Sequence, residues 1–228
     1  MISSIPFSVI DEAVLEVAAH LPDRIRNQES WRRREEQELW RELVGAILGS
    51  AVSYEHALIA LSFLDVNGLI SPSQSLSIKQ VEIERSLKLA GYRFPTLRSR
   101  QIAQSAAAIY GKSSNLQNIL QRYGDPMAAR RGLVELCPGL GPKQASLFLR
   151  NVGYHDLAVL DRHVLAYLQH RRFVAKCNLL VNSVKRYEVV EQIVLGIAAQ
   201  LGLTVADFDL AVWITVRVIC GVSRQWVS

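Results

Sequence analysis

Eight residues, Leu136-Cys137-Pro138-Gly139-Leu140-Gly141-Pro142-Lys143, restrict the architecture more than any other stretch of this chain. They stand between two patterns of helical period, MAARRGLVEL and PKQASLFLRNV, and leave room for a connection of only a few residues. So short a link returns the chain as a helix-hairpin-helix. Gly139 and Gly141 admit positive φ and, lacking a Cβ, let another backbone come close. Pro142 suits the first helical turn, where its missing N–H would have had no intrahelical partner. The amides around Leu140 and Gly141 then form a ready anion site at a helix N-terminus. Gly and Pro could equally make a plain turn between packed helices.

The same punctuation recurs along the chain and predicts an all-α fold. Ser8 is placed to cap a helix over 9–20, and Ser53 and Ser77 open YEHALIALSFL and IKQVEIERSLKLA, the latter closed by Gly91. Pro95 begins TLRSRQIAQSAAAIY, and SSNLQNILQRY is closed by Gly124. Asp125-Pro126 is a further cap-plus-proline start. KRYEVVEQIVLGIAAQL and a Thr204-capped VADFDLAVWITVRVIC, stopped by Gly221, complete the series. No strand pattern, internal repeat or linker between independent domains competes with this reading.

With 228 residues, half of them hydrophobic, the chain can bury a substantial core. The N-terminal segment carries Asp11, Glu12 and Glu16 where a signal peptide needs an uncharged stretch, and no run of eighteen apolar residues occurs. The expectation is a cytoplasmic protein with no membrane partner. Cys137, Cys177 and Cys220 are too few for a four-cysteine iron–sulfur cluster and lack CxxC spacing. No Walker or dinucleotide motif and no divalent-metal cluster is present, so no organic cofactor is expected.

The net charge of +5 is concentrated. Residues 121–176 hold nine Lys/Arg against four acids, leaving the rest of the chain balanced. A local basic excess suits a polyanion, though basic stretches are often only solvated faces. Within that region Lys143 falls in the first turn of the second hairpin helix, and eighteen residues later Asp161 follows the apolar run Leu157-Ala158-Val159-Leu160. Asp161 is also placed to cap the helix that contains His163 and Tyr167, and the two roles can coexist.

The run LCPGLGPKQASLFLRNVGYHDLAVLDRHVLAYL resembles the helix-hairpin-helix plus Gly/Pro...Asp signature of the endonuclease III (HhH-GPD) superfamily of DNA glycosylases. Within it, FLRNVGY followed by LDRHVL is similar to the archaeal-type 8-oxoguanine DNA glycosylases, a branch without an iron–sulfur cluster. Weaker echoes, WRELVGAILGSAVS, GYRFPTLRSRQIA and LGLTVADFDLAVW, extend the likeness over residues 40 to 215 or so.

The resemblance implies a single two-lobed helical domain with its active-site cleft between the lobes. One lobe would cover roughly 42–154 and end in the helix-hairpin-helix at 132–153; the other would combine 1–41 with 155–228. It implies a bifunctional enzyme that flips a damaged base, most simply 8-oxoguanine, out of double-stranded DNA. Lys143 would attack the sugar, and Asp161 would stabilise positive charge at C1′. Pro138, Gly139, Leu140 and Gly141 would hold DNA. Arg150, Arg162 and His163 would touch its backbone, although each also reads as an ordinary surface ion-pair residue. Asp209 and Trp213 would line the base pocket, where an apolar helix with a tryptophan is also plain core. A monovalent cation, K+ or Na+, would sit on the carbonyls of Glu135, Cys137 and Leu140. The protein would act as a monomer at the nucleoid.

Three features depart from the family pattern. The C-terminal lysine usual near the base pocket is missing from CGVSRQWVS. Ser50, Val52 or Tyr54 stands where a glutamine or asparagine commonly fills the gap in DNA, and the 171–186 segment has no counterpart. Two alternatives therefore stay open: a glycosylase for another modified base, and a non-catalytic helix-hairpin-helix DNA-binding subunit.

Overall fold

Short polar side chains and prolines mark where the helices begin, because the first amides of a helix need outside acceptors and proline has no amide to satisfy. A computed structural model describes residues 5–22, 30–71, 80–111, 113–174, 181 and 183–225, and among these it contains helices and no strand. The elements are α1 (Phe7–Ala19), a 3-10 turn (Trp31–Arg33), α2 (Glu36–Leu48), α3 (Tyr54–Val66), α4 (Gln80–Leu89), α5 (Pro95–Tyr110), α6 (Leu116–Arg122), α7 (Pro126–Leu136), α8 (Pro142–Asn151), α9 (Arg162–His170), α10 (Val184–Gln200) and α11 (Val205–Gln225).

Ser53, Asp125 and Thr204 accept first-turn amides as the sequence predicts. Two boundaries differ. α1 starts two residues earlier than a Ser8 cap would allow, because Pro6 supplies the extended residue before the helix and Ser8 lies inside its first turn. Helix α11 passes through Gly221 rather than stopping there. Gly221 lacks the positive φ that commonly marks a glycine helix stop. Ser77 falls outside the described residues.

The helices form two compact units, residues 29–153 and the pair of segments 1–28 and 154–228. In the middle unit α2 is the central helix and packs on α3, α5, α6 and α8. Leu39, Trp40, Leu43, Val44, Ile47 and Leu48 are all within 1% of full burial. The Glu36 carboxylate accepts from Tyr110 Oη at 2.8 Å and from the Leu116 amide at 2.7 Å, tying the start of α2 to α5 and α6. Trp31 N donates to Val152 O at 2.8 Å. These bonds tie residues 31–41 to the middle unit.

In the other unit α11 is central, against α1, α9 and α10. Ile10, Val14, Tyr167, Leu168, Val194, Phe208 and Val212 form its core. Tyr167 Oη donates to Asp11 at 2.7 Å and the Arg171 guanidinium pairs with the same carboxylate, so the first helix is tied to α9. No described helix is by itself long and apolar enough to cross a membrane.

Candidate active site

The hairpin is shaped from below. Helix α7 is capped by Asp125, whose Oδ1 accepts from the amides of Met127 and Ala128 at 2.9 Å. It lies against α8 through Ala129, Leu133, Ala145, Phe148 and Leu149, all fully buried, and through Arg130, whose Nη1 donates to Ser146 Oγ at 3.2 Å. Gly132 lets the Tyr123 ring lie against this helix: a Cβ there would fall 1.9 Å from the Tyr123 hydroxyl oxygen.

At the bend, Leu140 N donates to Cys137 O at 3.1 Å and the Leu140 side chain, 5% exposed, plugs the unit's core. Gly139 has φ +94°, and a Cβ would stand 2.7 Å from Gln101 Oε1. Gln101 belongs to a polar stripe on α5, at spacing i, i+3, i+7. Arg98 Nη1 donates to Gln101 Oε1 at 2.6 Å and Nη2 to Ser50 O at 2.9 Å, while Ser105 Oγ donates to Pro138 O at 3.3 Å. Helix α5 thus fixes both the hairpin and the turn after α2, where Ala51 adopts φ +62°.

With Pro138 and Pro142 carrying no N–H, the hairpin's donors are few. The amides of Gly139 and Gly141 have no acceptor among the described residues. Pro138 is exposed and both glycines are partly so. Unpaired backbone amides at a helix N-terminus are the donors an anion needs. Lys143, partly exposed in the first turn of α8, follows directly. Burial pushes the Cys137 thiol up to about 12, so the one cysteine in the hairpin is a protonated core residue and no nucleophile.

The second candidate region is built in the opposite way. Residues 157–160 are buried and outside any helix, and three side chains of α10 and α11 take up the amides of 158, 159 and 160 in succession. Ala158 N donates to Glu191 Oε1 at 3.0 Å, Val159 N to Asp209 Oδ2 at 2.7 Å and Leu160 N to Tyr187 Oη at 2.9 Å; Tyr187 Oη in turn donates to Ala158 O at 2.7 Å. Glu191, Asp209 and Tyr187 are each 1% exposed. They supply the acceptors that the amides of a buried non-helical segment would otherwise lack.

This cradle delivers Asp161 to the head of α9. Its Oδ1 accepts from the amides of His163 at 2.8 Å and Val164 at 2.9 Å, and its Oδ2 receives His163 Nδ1 at 2.7 Å. The Asp161 side chain keeps 11% exposure. His163 and Trp213 meet edge to face, with ring centroids 6.2 Å apart, and the Arg217 guanidinium lies 4.8 Å from the Trp213 ring centroid. Arg162 is exposed and Arg150 half-buried.

The predicted site residues therefore fall into two sets. Pro138, Gly139, Leu140, Gly141, Lys143 and Arg150 share the hairpin of the middle unit; Asp161, Arg162, His163, Asp209 and Trp213 share the other. Leu140 offers only its backbone to a ligand. Asp209 is occupied with a backbone amide, and Trp213 has His163 and Arg217 as ring neighbours. Sequence reasoning missed Arg98, Gln101, Ser105, Tyr187 and Glu191. The signal was a polar residue on an otherwise apolar helical stripe, as with Glu191 between Tyr187 and Val194.

A helix-hairpin-helix whose second helix begins Pro-Lys, followed by an aspartate capping the next helix, defines the class of helix-hairpin-helix DNA glycosylases. A profile described as 8-oxoguanine DNA glycosylase (Ogg-HhH) matches residues 21–203. The chain belongs to that family, in its archaeal-type branch. It is 36% identical over 183 residues to an 8-oxoguanine DNA glycosylase/AP lyase of Sulfurisphaera tokodaii, covering 79% of this chain and 83% of the relative. It is 36% identical to the corresponding Metallosphaera sedula protein, covering 86% and 90%. Among solved structures, the 8-oxoguanine DNA glycosylase of Methanocaldococcus jannaschii aligns with TM-score 0.76 at 26% identity, over 90% of this chain and 92% of that one. The Thermotoga maritima enzyme aligns at 0.74 and 28%, over 91% and 93%.

Proposed function

We propose that this protein is an 8-oxoguanine DNA glycosylase with AP lyase activity, in which Lys143 is the nucleophile and Asp161 the carboxylate that supports it. One observation carries the assignment: Lys143 stands in the first turn of α8, immediately beyond two hairpin amides with no acceptor among the described residues. A phosphate held on those amides would set the neighbouring nucleotide beside the amine. The Methanocaldococcus jannaschii relative has been crystallised with a 15-mer DNA containing 8-oxoguanine, and this chain aligns to it with TM-score 0.70.

The chemistry then follows. A base inside a duplex is out of reach of a helix-mounted lysine, so the nucleotide is flipped out first, at a cost of a few kcal/mol. Breaking the N-glycosidic bond builds positive charge at C1′, which the Asp161 carboxylate stabilises. The neutral Lys143 amine forms a bond to C1′ as the base departs with the bonding electrons and a proton. The ring opens to a Schiff base, whose acidified C2′ proton is removed; β-elimination then expels the 3′ phosphate and nicks the strand.

Asp209, against Val159, holds the segment leading to Asp161, and Trp213 backs His163; both act on the site from behind in this reading. Pro138, Gly139, Leu140 and Gly141 contribute backbone to the phosphate, while Arg150 and Arg162 add counter-charge. The last carbonyls of α7, including that of Glu135, lie beyond the helix's own hydrogen bonds. Together with the carbonyls of Cys137 and Leu140 they are a neutral oxygen set suited to K+ or Na+, which would add positive charge for a phosphate. The partner is double-stranded DNA bearing the lesion, and the working form is a monomer.

Borohydride trapping on a duplex with a single 8-oxoguanine tests the reading. A covalent adduct is expected with the wild-type chain and none with Lys143→Gln, which should still bind the duplex. Lys143→Gln nicking as fast as wild type would overturn the assignment, and an inert wild-type chain that binds DNA would favour the non-catalytic alternative. A panel of other single lesions decides whether 8-oxoguanine is the preferred base. Affinity should also fall steeply with added salt as phosphate counterions are released.

A further inference from the structure

We infer that His163 is a positioning residue for the reaction: its imidazole, backed by Trp213, fixes the plane of the Asp161 carboxylate. This rests on the reading of Asp161 as the carboxylate that stabilises charge at C1′. The torsion about the last bond of an aspartate side chain is soft. The capping bonds do not remove that freedom, because both backbone amides converge on one oxygen, Oδ1. The other oxygen would swing about that hinge if it were held only there. It is held by His163 Nδ1 at 2.7 Å, and the two side chains are 11% and 12% exposed.

The direction of that bond is fixed by chemistry. A carboxylate that already accepts two amide N–H bonds is an acceptor, so Nδ1 carries the hydrogen and donates it. That leaves Nε2 turned away from Asp161. His163 is itself kept from rotating by Trp213, whose ring meets the imidazole at an interplanar angle of 85° and whose indole lies under Arg217. The chain Arg217, Trp213, His163, Asp161 thus runs from α11 to the cap of α9. It transmits the packing of two helices to the orientation of one pair of lone pairs. Electrostatic stabilisation of a developing cation depends on that orientation, because the carboxylate acts before any reorganisation can follow.

Two amides distinguish orientation from every other role of the imidazole. The asparagine side chain places its N–H₂ where Nδ1 stands, and the glutamine side chain reaches the place of Nε2. Single-turnover excision is measured on 8-oxoguanine duplex with enzyme in saturating excess, and affinity is measured separately by anisotropy on a duplex carrying a tetrahydrofuran abasic analogue.

His163→Ala and His163→Gln should slow excision ten- to hundredfold. His163→Asn should recover at least tenfold over His163→Ala, while the Ala and Asn variants bind the analogue within threefold of each other. In an Asp161→Asn background, His163→Ala should add less than threefold. If the Asn variant is as slow as Ala, or Gln as fast as Asn, the inference is overturned. Should the Ala variant fail to fold, the Asn against Gln comparison still decides. Asp161→Asn at the wild-type rate would instead remove the catalytic reading of Asp161. A slow Asp161→Asn beside a His163 series that changes only affinity would leave that reading standing and sink this one.

Discussion

The hairpin and the Asp161 cap differ in how they treat their own backbone. At the hairpin, two prolines and two glycines leave amides without acceptors among the described residues, and the side chains of α5 hold the loop from beneath without consuming those donors. At the cap the amides of residues 158, 159, 160, 163 and 164 are all taken up by buried or nearly buried side chains. One region leaves hydrogen-bond donors unpaired among the described residues. The other uses its donors internally to immobilise a single carboxylate. Binding and chemistry place these opposite demands, since a phosphate needs unsatisfied donors whereas a charge-stabilising group must not move.

The comparison breaks first on activity. Lys143→Gln should abolish the borohydride adduct and lower strand nicking by at least a thousandfold, with duplex affinity within about tenfold of wild type. Asp161→Asn keeps one oxygen for the cap and should fold, but lose roughly a hundred- to ten-thousandfold in single-turnover excision. Equal activity in either variant would place the chemistry elsewhere.

Next comes stability, which the buried acids of the cap region should control. Asp209→Ala orphans the buried Val159 amide and leaves a small void, at a cost of about 2–4 kcal/mol, read as a lower denaturant midpoint. Asp209→Asn retains an acceptor oxygen and should recover most of that loss. Glu191→Ala and Glu191→Gln should repeat the contrast at Ala158. If Asp209→Asn folds like wild type yet loses base discrimination across a lesion panel, Asp209 reaches the base after all and its structural bond is secondary.

At the hairpin the corresponding change is geometric. Gly139→Ala forces a residue at φ +94° to carry a Cβ that would stand 2.7 Å from Gln101 Oε1. The left-handed conformation alone costs about 1–2 kcal/mol, and Gln101 must also shift. We expect duplex affinity to fall ten- to fiftyfold, with a shallower salt dependence and little change in the excision rate of saturated enzyme. A large fall in that rate at unchanged affinity would mean that the hairpin positions Lys143 rather than phosphate.

The sequence disclosed the two regions unequally. Caps, prolines and the helical period located nearly every described helix, because those signals are local. The hairpin was legible for the same reason, being eight contiguous residues. The cradle under residues 157–160 was not: Glu191 and Asp209 lie 33 and 50 residues from the amides they accept. A buried acid on an apolar helical stripe reveals that a partner exists, but only the packing of α10 and α11 reveals which one. Arg98 and Gln101 were hidden likewise, since a guanidinium bound to a carbonyl 48 residues away reads in sequence as one more surface charge.

Titration at high pH separates the regions by a smaller margin. Burial raises the thiol of Cys137 from the ordinary 9.0 to about 12, and burial likewise raises Tyr92 and Tyr110, the latter with help from the Glu36 carboxylate. All three lie in the hairpin-bearing unit; in the other, Tyr167 is raised by burial to about 12. A folded chain that retains protons the unfolded chain releases loses stability as pH rises, beginning near the thiol's ordinary value of 9.0 and continuing to about 12. At one pH unit above that value Cys137 alone should account for about 1.4 kcal/mol. Melting temperatures at pH 8 and pH 10 should therefore differ more for the wild-type chain than for Cys137→Ala, whose overall stability is lower but whose pH slope lacks this contribution. Parallel slopes would mean that water reaches the hairpin's core, which would in turn weaken the claim that its glycine amides are held in a fixed, ligand-ready array.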